Sequence, residues 1–215
     1  MIKLNRPEDC CGCTACANIC GHGAITMGVD AEGFVYPRID EALCTDCGLC
    51  DRVCPLIARS AMDLKVKTYR SIYAGRLNDE TALMRSASGG AFWALASEVI
   101  ADGGVVFGAV YDNDMCVVHR GADTLEGCRS FQGSKYSQSD TLQSYHDVRD
   151  IVRSGRKVLF TGTPCQVDGL LRFLIKKYDN LLTMDVVCHA VPSPLIFNDY
   201  ISLVSRRLKG RLTDL

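Results

Sequence analysis

Cysteine residues are concentrated near the start of the chain, where they repeat with a fixed spacing. Nine of the thirteen cysteines lie between Cys10 and Cys54, and eight of these form two runs of C-x2-C-x2-C-x3-C. The runs are Cys10, Cys13, Cys16 and Cys20, followed by Cys44, Cys47, Cys50 and Cys54. Thiolates are preferred ligands of zinc and of iron–sulfur clusters. A repeat of this kind therefore indicates metal chemistry.

The spacing within each run favours two [4Fe–4S] clusters. Two-residue gaps let one tight loop present three thiolates, so the fourth ligand comes from elsewhere in the chain. In bacterial two-cluster ferredoxins with this spacing, the last cysteine of each run binds the other cluster. The extra thiol of Cys11 is expected to pack near a cluster without binding it. We therefore predict one cluster on Cys10, Cys13, Cys16 and Cys54, and a second on Cys44, Cys47, Cys50 and Cys20.

Zinc binding and disulfide formation account less well for the cysteine pattern. Structural zinc sites normally use paired C-x2-C knuckles with four ligands per ion, whereas these runs consist of triplets plus a fourth thiol. A disulfide framework needs an oxidising compartment, and the first six residues contain no apolar signal region. Zinc remains the main alternative to two iron–sulfur clusters.

The composition is that of an ordinary globular protein of one or two domains. Apolar residues make up 47% of the 215 residues, and the formal net charge is −1, so nucleic acid and anionic membranes are not favoured partners. Residues 1–58 carry four basic and eight acidic side chains, which is compatible with electrostatic docking of a redox partner and equally with a solvated surface. No run is long enough to span a membrane, and the expected compartment is the cytoplasm.

The cysteine runs and the hydrophobic pattern predict a two-cluster ferredoxin-type module at 1–58, a linker at 59–71, and a mixed α/β body from residue 72 onward. Short strands are expected in the module at 24–27 and 33–36. Further strands are predicted at 72–77, 105–111, 115–120, 157–161 and 181–187. Helices are predicted up to Met84 and near 92–100, 142–155, 167–175 and 194–208. The fold class is α+β or α/β.

The strand–helix–strand pattern from Lys157 to Val187 predicts a parallel βαβ unit. Parallel strands end at the same edge of a sheet, which is where ligands bind in open α/β folds. Cys165, Cys188 and His189 follow the two strands at this edge, so two thiols and an imidazole are expected near each other. Thr163 and Gln166 have capping-box spacing, which places Cys165 in the first helical turn, where the helix dipole lowers a thiol pKa. A buried structural cysteine with a capping histidine accounts for the same residues equally well.

A second candidate site lies in the first half of the body. Ser88, Gly89 and Gly90 open a predicted helix, and backbone N–H groups at such a start can hold phosphate, although this tripeptide is more often a turn and a cap. Lys135 adds a cation beside Tyr136. Iron–sulfur clusters pass one electron at a time, so a body that handles organic substrates needs a cofactor that couples one- and two-electron steps, such as flavin.

Four segments of the body resemble the coenzyme F420 hydrogenase/dehydrogenase beta-subunit family. They are Ser86–Phe92, Gly133–Ser139, Val158–Gln166 and Asp185–His189. An N-terminal two-cluster module followed by these segments is a frequent arrangement in that family, which includes subunits of F420-reducing hydrogenase and of F420-dependent formate dehydrogenase. The resemblance implies a bound FAD, electron transfer between the clusters and the flavin, and hydride exchange with a deazaflavin or another organic acceptor. It also implies a redox partner protein or subunit, and it divides the body into an N-terminal-like domain at 72–150 and part of a C-terminal-like domain at 151–215.

Carried over to this chain, the resemblance implies that Ser88, Gly89, Gly90 and Lys135 contact FAD. The same resemblance places Cys165, Cys188 and His189 near the redox centre, without separate roles. Ala190 stands where the family usually has glycine, and family members continue beyond the position of Leu215, so the chain is expected to be truncated relative to them. The alternatives are an electron-transfer subunit that docks a partner oxidoreductase without activity of its own, and a non-functional remnant of a broken gene.

Overall fold

The computed structural model describes residues 2–4, 6–60, 71–141 and 143–210. A mixed α/β body follows an N-terminal dicluster module, as predicted. Its α-helices are α1 Ala15–Ile19, α2 Leu49–Val53, α3 Pro55–Ser60, α4 Glu80–Met84, α5 Ala91–Ala101, α6 Leu125–Cys128, α7 Ser144–Arg153, α8 Pro164–Leu174 and α9 Pro194–Leu208. Its strands are β1 Ile25–Val29, β2 Val35–Ile39, β3 Val105–Tyr111, β4 Val117–Ala122, β5 Val158–Gly162 and β6 Leu181–Asp185.

The N-terminal module repeats one local structure twice. Each cysteine run contains a one-turn helix that starts after a left-handed residue, Thr14 (φ 60°) before α1 and Gly48 (φ 72°) before α2. Each run also ends in an extended cysteine, with φ −74° at Cys20 and −69° at Cys54. The antiparallel hairpin of β1 and β2 joins the two copies, as the sequence predicted. The two cysteine runs, which have the same spacing, therefore have similar backbone conformations.

α3 extends to Ser60 and so takes in the first two residues of the predicted linker at 59–71; Pro55 suits the first position of that helix. The bounds of the linker stay a prediction. The remainder of the predicted linker, residues 61–70, lies outside the described residues. The strand predicted at 72–77 is absent: Ile72 and Tyr73 are both 88% exposed, and the N–H of Leu77 donates to the carbonyl of Gly89 rather than to a strand. An apolar run that faces solvent gave a misleading strand signal.

The body contains a four-stranded sheet in the order β4-β3-β5-β6. β3 and β4 form the predicted antiparallel hairpin, although β4 begins two residues later than predicted because Met115 (φ 60°) belongs to the turn. β5, α8 and β6 form the predicted parallel βαβ unit, with β6 ending at Asp185. Because this sheet crosses residue 150, strands from both predicted body domains share one sheet. The boundary itself stays a prediction.

Alternating side chains of the sheet pack against helices on both faces. Val106 and Leu159 face α5 and α6, in a cluster with Ala96, Val99 and Cys128. Phe107 and Phe160 face α7 and α8 on the other side. Three module residues join this second cluster, Cys13, Ala15 and Val53, so the module packs directly on α7 and α8. Among the described residues, no helix is both long enough and apolar enough to cross a bilayer.

Candidate redox site

The family-like segments lie along the sheet edge at which β3, β5 and β6 end, which we call the carboxyl edge. Gly162 pairs with Asp185 at the ends of β5 and β6, so the segments that follow these strands leave the sheet side by side. The last turn of α5 meets the start of β3 through the hydrogen bond from Gly104 to Val99 (2.8 Å). α5 therefore runs antiparallel to β3, and the Ser88–Gly90 turn at its start points toward the same edge.

Gln166 organises the loop between β5 and α8. Its side-chain oxygen accepts from the backbone N–H and the hydroxyl of Thr163, both at 3.0 Å, which is the capping interaction that the sequence predicted. Its side-chain nitrogen donates to the hydroxyl of Ser139 at 2.9 Å. Ser139 belongs to the family-like segment at 133–139. One buried glutamine thus joins two of the four segments.

His119 extends this network, and sequence reasoning missed it. Its ring lies between the hydroxyl of Ser139 (2.8 Å) and the carbonyl of Thr161 (2.9 Å), stacked 5.3 Å from the ring of Phe160. Burial lowers the pKa of His119 to about 4, so the ring is neutral at physiological pH. A neutral ring bonds to both neighbours by donating Nε2–H to Thr161 and accepting at Nδ1 from Ser139. The residue holds the loop in place; its sequence position gave no signal of this.

The thiol of Cys165 differs from its prediction. It lies in the first turn of α8 as expected, 3.1 Å from the hydroxyl of Thr163. Its pKa is raised rather than lowered, because a hydrogen bond with Cys11 and burial outweigh the favourable interactions at the helix start. Cys11 of the module is thus in contact with Cys165 at the carboxyl edge.

We call Cys10, Cys13, Cys16 and Cys54 the inner quartet, and Cys13 packs in the core cluster of the body. Cys13, Cys16 and Cys54 are each at most 7% exposed. The hydroxyl of Tyr145 lies 2.9 Å from the carbonyl of Cys13 and 2.8 Å from that of Gln166, so one buried side chain connects the inner quartet to the loop at the carboxyl edge. The hydroxyls of Thr14 and Thr141 make a second hydrogen bond across the same interface.

Cys20, Cys44, Cys47 and Cys50, which we call the outer quartet, line a single cavity on the other side of the module. Cys47 is exposed and Cys44 is half-buried. The cavity also touches His22, Thr45 and Asp46, but no residue of the inner quartet. The last cysteine of the first run therefore faces three cysteines of the second run, which is the grouping that crossed ligation requires.

Burial raises the pKa of Cys16 to about 12, and the neighbouring thiolates that add to this shift are Cys10 and Cys54 of the inner quartet, followed by Cys50 of the outer quartet. Burial likewise raises the pKa of Cys10, with Cys54 as a contributor. Buried thiolates crowded together are costly unless a cation neutralises them, and iron does so. This donor set fits an iron–sulfur cluster.

Among the described residues, no three His, Cys, Asp or Glu side chains are arranged to hold one metal ion. A [4Fe–4S] cluster takes four cysteine thiolates, and the cavity of the outer quartet is lined by four cysteines.

The residues predicted to contact FAD lie together, but their glycines also have a packing role. A side chain at Gly89 (φ 70°) would approach the carbonyl of Gly75 to 2.5 Å, so the turn accommodates the preceding segment of chain. The following helix α5 lacks a side-chain cap, which leaves its first N–H groups open to an anion. Gln132 donates to the hydroxyl of Ser86 (2.9 Å), and Lys135 Nζ donates to the carbonyl of Gln132 (2.7 Å). The loop that carries Lys135, which we call the lysine loop, therefore adjoins the Ser88–Gly90 turn.

Cys188 and His189 lie beyond the end of β6 and are exposed. The hydrogen bond from Val186 to the carbonyl of Gly162 (3.1 Å) keeps their segment beside the loop that carries Cys165. The structure therefore places both residues at the carboxyl edge, as the topology predicted. Their chemical roles stay predictions.

Comparison with known proteins supports the assignment of the N-terminal module. Residues 9–58 match the model of the 4Fe-4S dicluster domain. Over 179 residues, the chain is 28% identical to the coenzyme F420-dependent sulfite reductase of Methanocaldococcus jannaschii. That alignment covers 78% of this chain and 26% of the relative, so the chain spans about a quarter of the length of the curated relative that it matches. The N-terminal region is thus a dicluster domain, and the chain resembles an iron–sulfur electron-transfer oxidoreductase.

Proposed function

We propose that this chain passes electrons between two [4Fe–4S] clusters and a bound FAD, which exchanges hydride with a deazaflavin similar to coenzyme F420 or with another organic acceptor. The observation that carries the proposal is the junction between the inner quartet and the carboxyl edge, where Tyr145 reaches Cys13 and Cys11 reaches Cys165. A redox module and a ligand-binding sheet edge meet there through buried contacts. The match to a dicluster domain and the named relative support the redox part.

The ligands follow from the two quartets. In this proposal Cys10, Cys13, Cys16 and Cys54 hold one cluster, and Cys20, Cys44, Cys47 and Cys50 hold the other. When bound, the clusters supply one-electron transfer at low potential. The protein contributes burial around the inner quartet and an open face beside Cys47, so the two sites differ in access to solvent.

This difference suggests a direction for electron transfer. A redox partner docks where the outer quartet approaches the surface, near exposed Cys47. With clusters bound, the outer quartet would receive electrons from the partner, and the inner quartet would hold the cluster nearer the carboxyl edge. The acidic balance of residues 1–58 favours a partner with a basic docking surface.

The FAD site in this proposal uses the start of α5 and the neighbouring lysine loop. Ser88, Gly89, Gly90 and the uncapped N–H groups of α5 would hold phosphate oxygens, while Lys135 would supply positive charge. When bound, the flavin couples single-electron steps to hydride transfer. Cys188 and His189, exposed at the same edge, would lie on the side from which an organic substrate approaches.

Anaerobic purification followed by FAD titration tests the proposal. The wild-type chain should bind FAD with about one equivalent per chain, and Lys135→Ala should weaken binding roughly 10- to 100-fold, since it removes a charged hydrogen-bond donor. Lys177→Ala is the matched control, because Lys177 lies on the distant groove between α2 and α8 and should leave FAD binding unchanged. Iron bound without measurable FAD affinity would contradict the flavoprotein assignment.

The second candidate is an electron-transfer subunit that docks a partner oxidoreductase. The packing of Gly89 and Gly90 against the chain's own residues 75–77 favours it, because it accounts for these glycines without a flavin. This candidate predicts cluster reduction by a partner but no hydride exchange by the isolated chain. Stopped-flow mixing with a reduced deazaflavin separates the two, since only the first proposal predicts flavin bleaching.

A further inference from the structure

We propose that Cys11 and Cys165 form a redox-active thiol pair that opens and closes as a disulfide beside the inner quartet. This inference rests on the proposed clusters, which are its electron acceptors. It assigns a chemical function to two cysteines that the cluster spacing leaves unused.

The first observation is direct contact between residues that are far apart in sequence. The hydroxyl of Tyr145 joins the backbone of Cys13 to that of Gln166, which brings Cys11 and Cys165 to the same point of the interface between the module and the body, where their thiols interact. Both side chains are half-buried and pack on the same core cluster as Cys13. Cys11 also contacts the thiol of Cys13, but in the proposed site that thiol is bound to iron. Cys165 is then the thiol left to pair with Cys11.

The second observation is that both partners are held from each side. Cys165 is fixed at the start of α8 by the Thr163–Gln166 cap, with the Thr163 hydroxyl 3.1 Å from its sulfur. The backbone around Cys11 is held by Gln138, whose side chain donates to the Cys11 carbonyl (3.5 Å) and closely covers Gly12. A pair held in this way loses little conformational freedom on closing into a disulfide.

The third observation is the place of the pair between the inner quartet and the carboxyl edge. The charge of Cys165 interacts with that of Cys10, a proposed ligand of the inner cluster. Hydride transfer moves two electrons together, whereas each cluster carries one. A dithiol at this junction stores a pair of electrons between the two kinds of step.

The reaction is balanced by the proposed clusters. Oxidation breaks the S–H bonds of Cys11 and Cys165 and forms one S–S bond. Two protons go to water, and two electrons leave singly, one to each oxidised cluster. Reduction is the reverse, with two protons and two electrons restoring the two thiols.

Peptide mapping of anaerobically prepared, cluster-loaded chain tests for the bond. Samples poised with oxidised or reduced glutathione are quenched in acid, because exchange needs a thiolate and stops at low pH, and their free thiols are then alkylated with N-ethylmaleimide in denaturant at neutral pH. Trypsin releases residues 158–172, in which Cys165 is the only cysteine. We expect Cys165 to be alkylated in reduced samples. In oxidised samples we expect its alkylation to be lost, with the peptide linked to the one that carries Cys11.

Matched variants identify the partner. Cys11→Ser should restore Cys165 alkylation in the oxidised sample, and Cys116→Ser, at a half-buried thiol outside both quartets, should change nothing. Iron content should be unchanged in Cys11→Ser and Cys165→Ser. A Cys165 that stays alkylated in oxidised wild type, or that stays linked in Cys11→Ser, overturns the pair. Loss of iron in Cys165→Ser also overturns it, because the residue would then be a cluster ligand.

Counting electrons tests the coupling to the clusters. Reductive titration of oxidised wild type should consume about two more electrons per chain than Cys11→Ser or Cys165→Ser, since one disulfide takes up two electrons. Equal uptake by wild type and variants overturns the proposal. Iron analysis of the same samples keeps the two claims apart: an iron-free chain refutes the proposed function, whereas iron with no linked Cys165 refutes the thiol pair alone.

Discussion

The inner and outer quartets have the same spacing but different surroundings. The outer quartet lines a cavity that opens beside exposed Cys47. Three cysteines of the inner quartet are buried, and Cys13 packs against α7 and α8, where Tyr145 joins the carbonyl of Cys13 to that of Gln166. Spacing alone therefore encodes the capacity to bind a cluster, while the neighbours decide what the cluster can reach. In this molecule, one quartet includes an exposed cysteine, Cys47, and the other adjoins the carboxyl edge of the sheet.

The largest expected effect concerns which cysteines belong to which quartet. Cys20→Ser should damage the outer cluster and Cys54→Ser the inner one, each lowering iron from about eight to about four atoms per chain. EPR of the reduced variants identifies the cluster that is lost, with Cys188→Ser as the control. If each substitution instead removed the cluster of its own run, the grouping of the two quartets would be wrong.

The second prediction concerns acidification, which should lower the unfolding free energy of the body that packs against the module. The pKa of His119 is lowered by burial to about 4 from an ordinary 6.5, so the unfolded chain binds this proton at higher pH than the folded chain. His119 therefore contributes stability that is full above about pH 6.5 and is lost as the pH falls toward about 4, by roughly 3 kcal/mol in total.

Urea unfolding of His119→Gln and wild type across this pH interval measures the effect. The variant should show a weaker dependence of the unfolding free energy on pH, because its side chain does not titrate. His22→Gln, at an exposed histidine, is the matched control and should retain the wild-type dependence. Parallel curves for wild type and His119→Gln would show that His119 does not carry the effect.

The third prediction tests the junction itself. Tyr145→Phe removes the hydroxyl that lies between two buried carbonyls and should lower the unfolding free energy by about 1–3 kcal/mol. Because one of these carbonyls belongs to Cys13, iron should leave the inner cluster faster in the presence of a chelator, while the outer cluster keeps its wild-type rate. Tyr36→Phe, in the module hairpin, is the control. Equal acceleration at both clusters would mean that the hydroxyl stabilises the fold as a whole and not the inner side.

The smallest expected effect concerns the residue after each run. Cys54 is followed by Pro55, whereas Cys20 is followed by Gly21, although both cysteines are extended, with ψ 118° and 97°. Extended backbone suits the residue before proline, and a side chain at Gly21 would meet nothing within 4 Å. Gly21→Pro should therefore stabilise the chain by about 0.4–1 kcal/mol through a less flexible unfolded state. Thermal unfolding of the metal-free chain measures this, and a lower midpoint would contradict it.

Local sequence patterns predicted much of the fold and of the candidate site. The cysteine repeat predicted the module, and the strand–helix–strand pattern with its capping residues predicted the loop around Cys165 and the sheet edge to which it belongs. Each of these signals depends on neighbours within one turn or one strand. The match between sequence and structure is closest there.

Sequence patterns did not predict the contacts between residues that are far apart in the chain. The position of Cys165 at a helix start predicted a lowered pKa, but contact with Cys11, from the other domain, and burial reverse the direction. His119 gave no sign that it joins Ser139 to Thr161. The apolar run at 72–77 looked like a strand, yet it packs beside the Gly89 turn and pairs with no strand. In each case the decisive partner lies elsewhere in the chain.

Iron and acid-labile sulfide analysis of anaerobically prepared chain, together with EPR of the reduced sample, tests the central claim most directly. Two quartets predict about eight irons and about eight sulfides per chain, and paramagnetic signals from two clusters. A folded, colourless preparation without iron, or one that holds zinc in its place, would contradict the account.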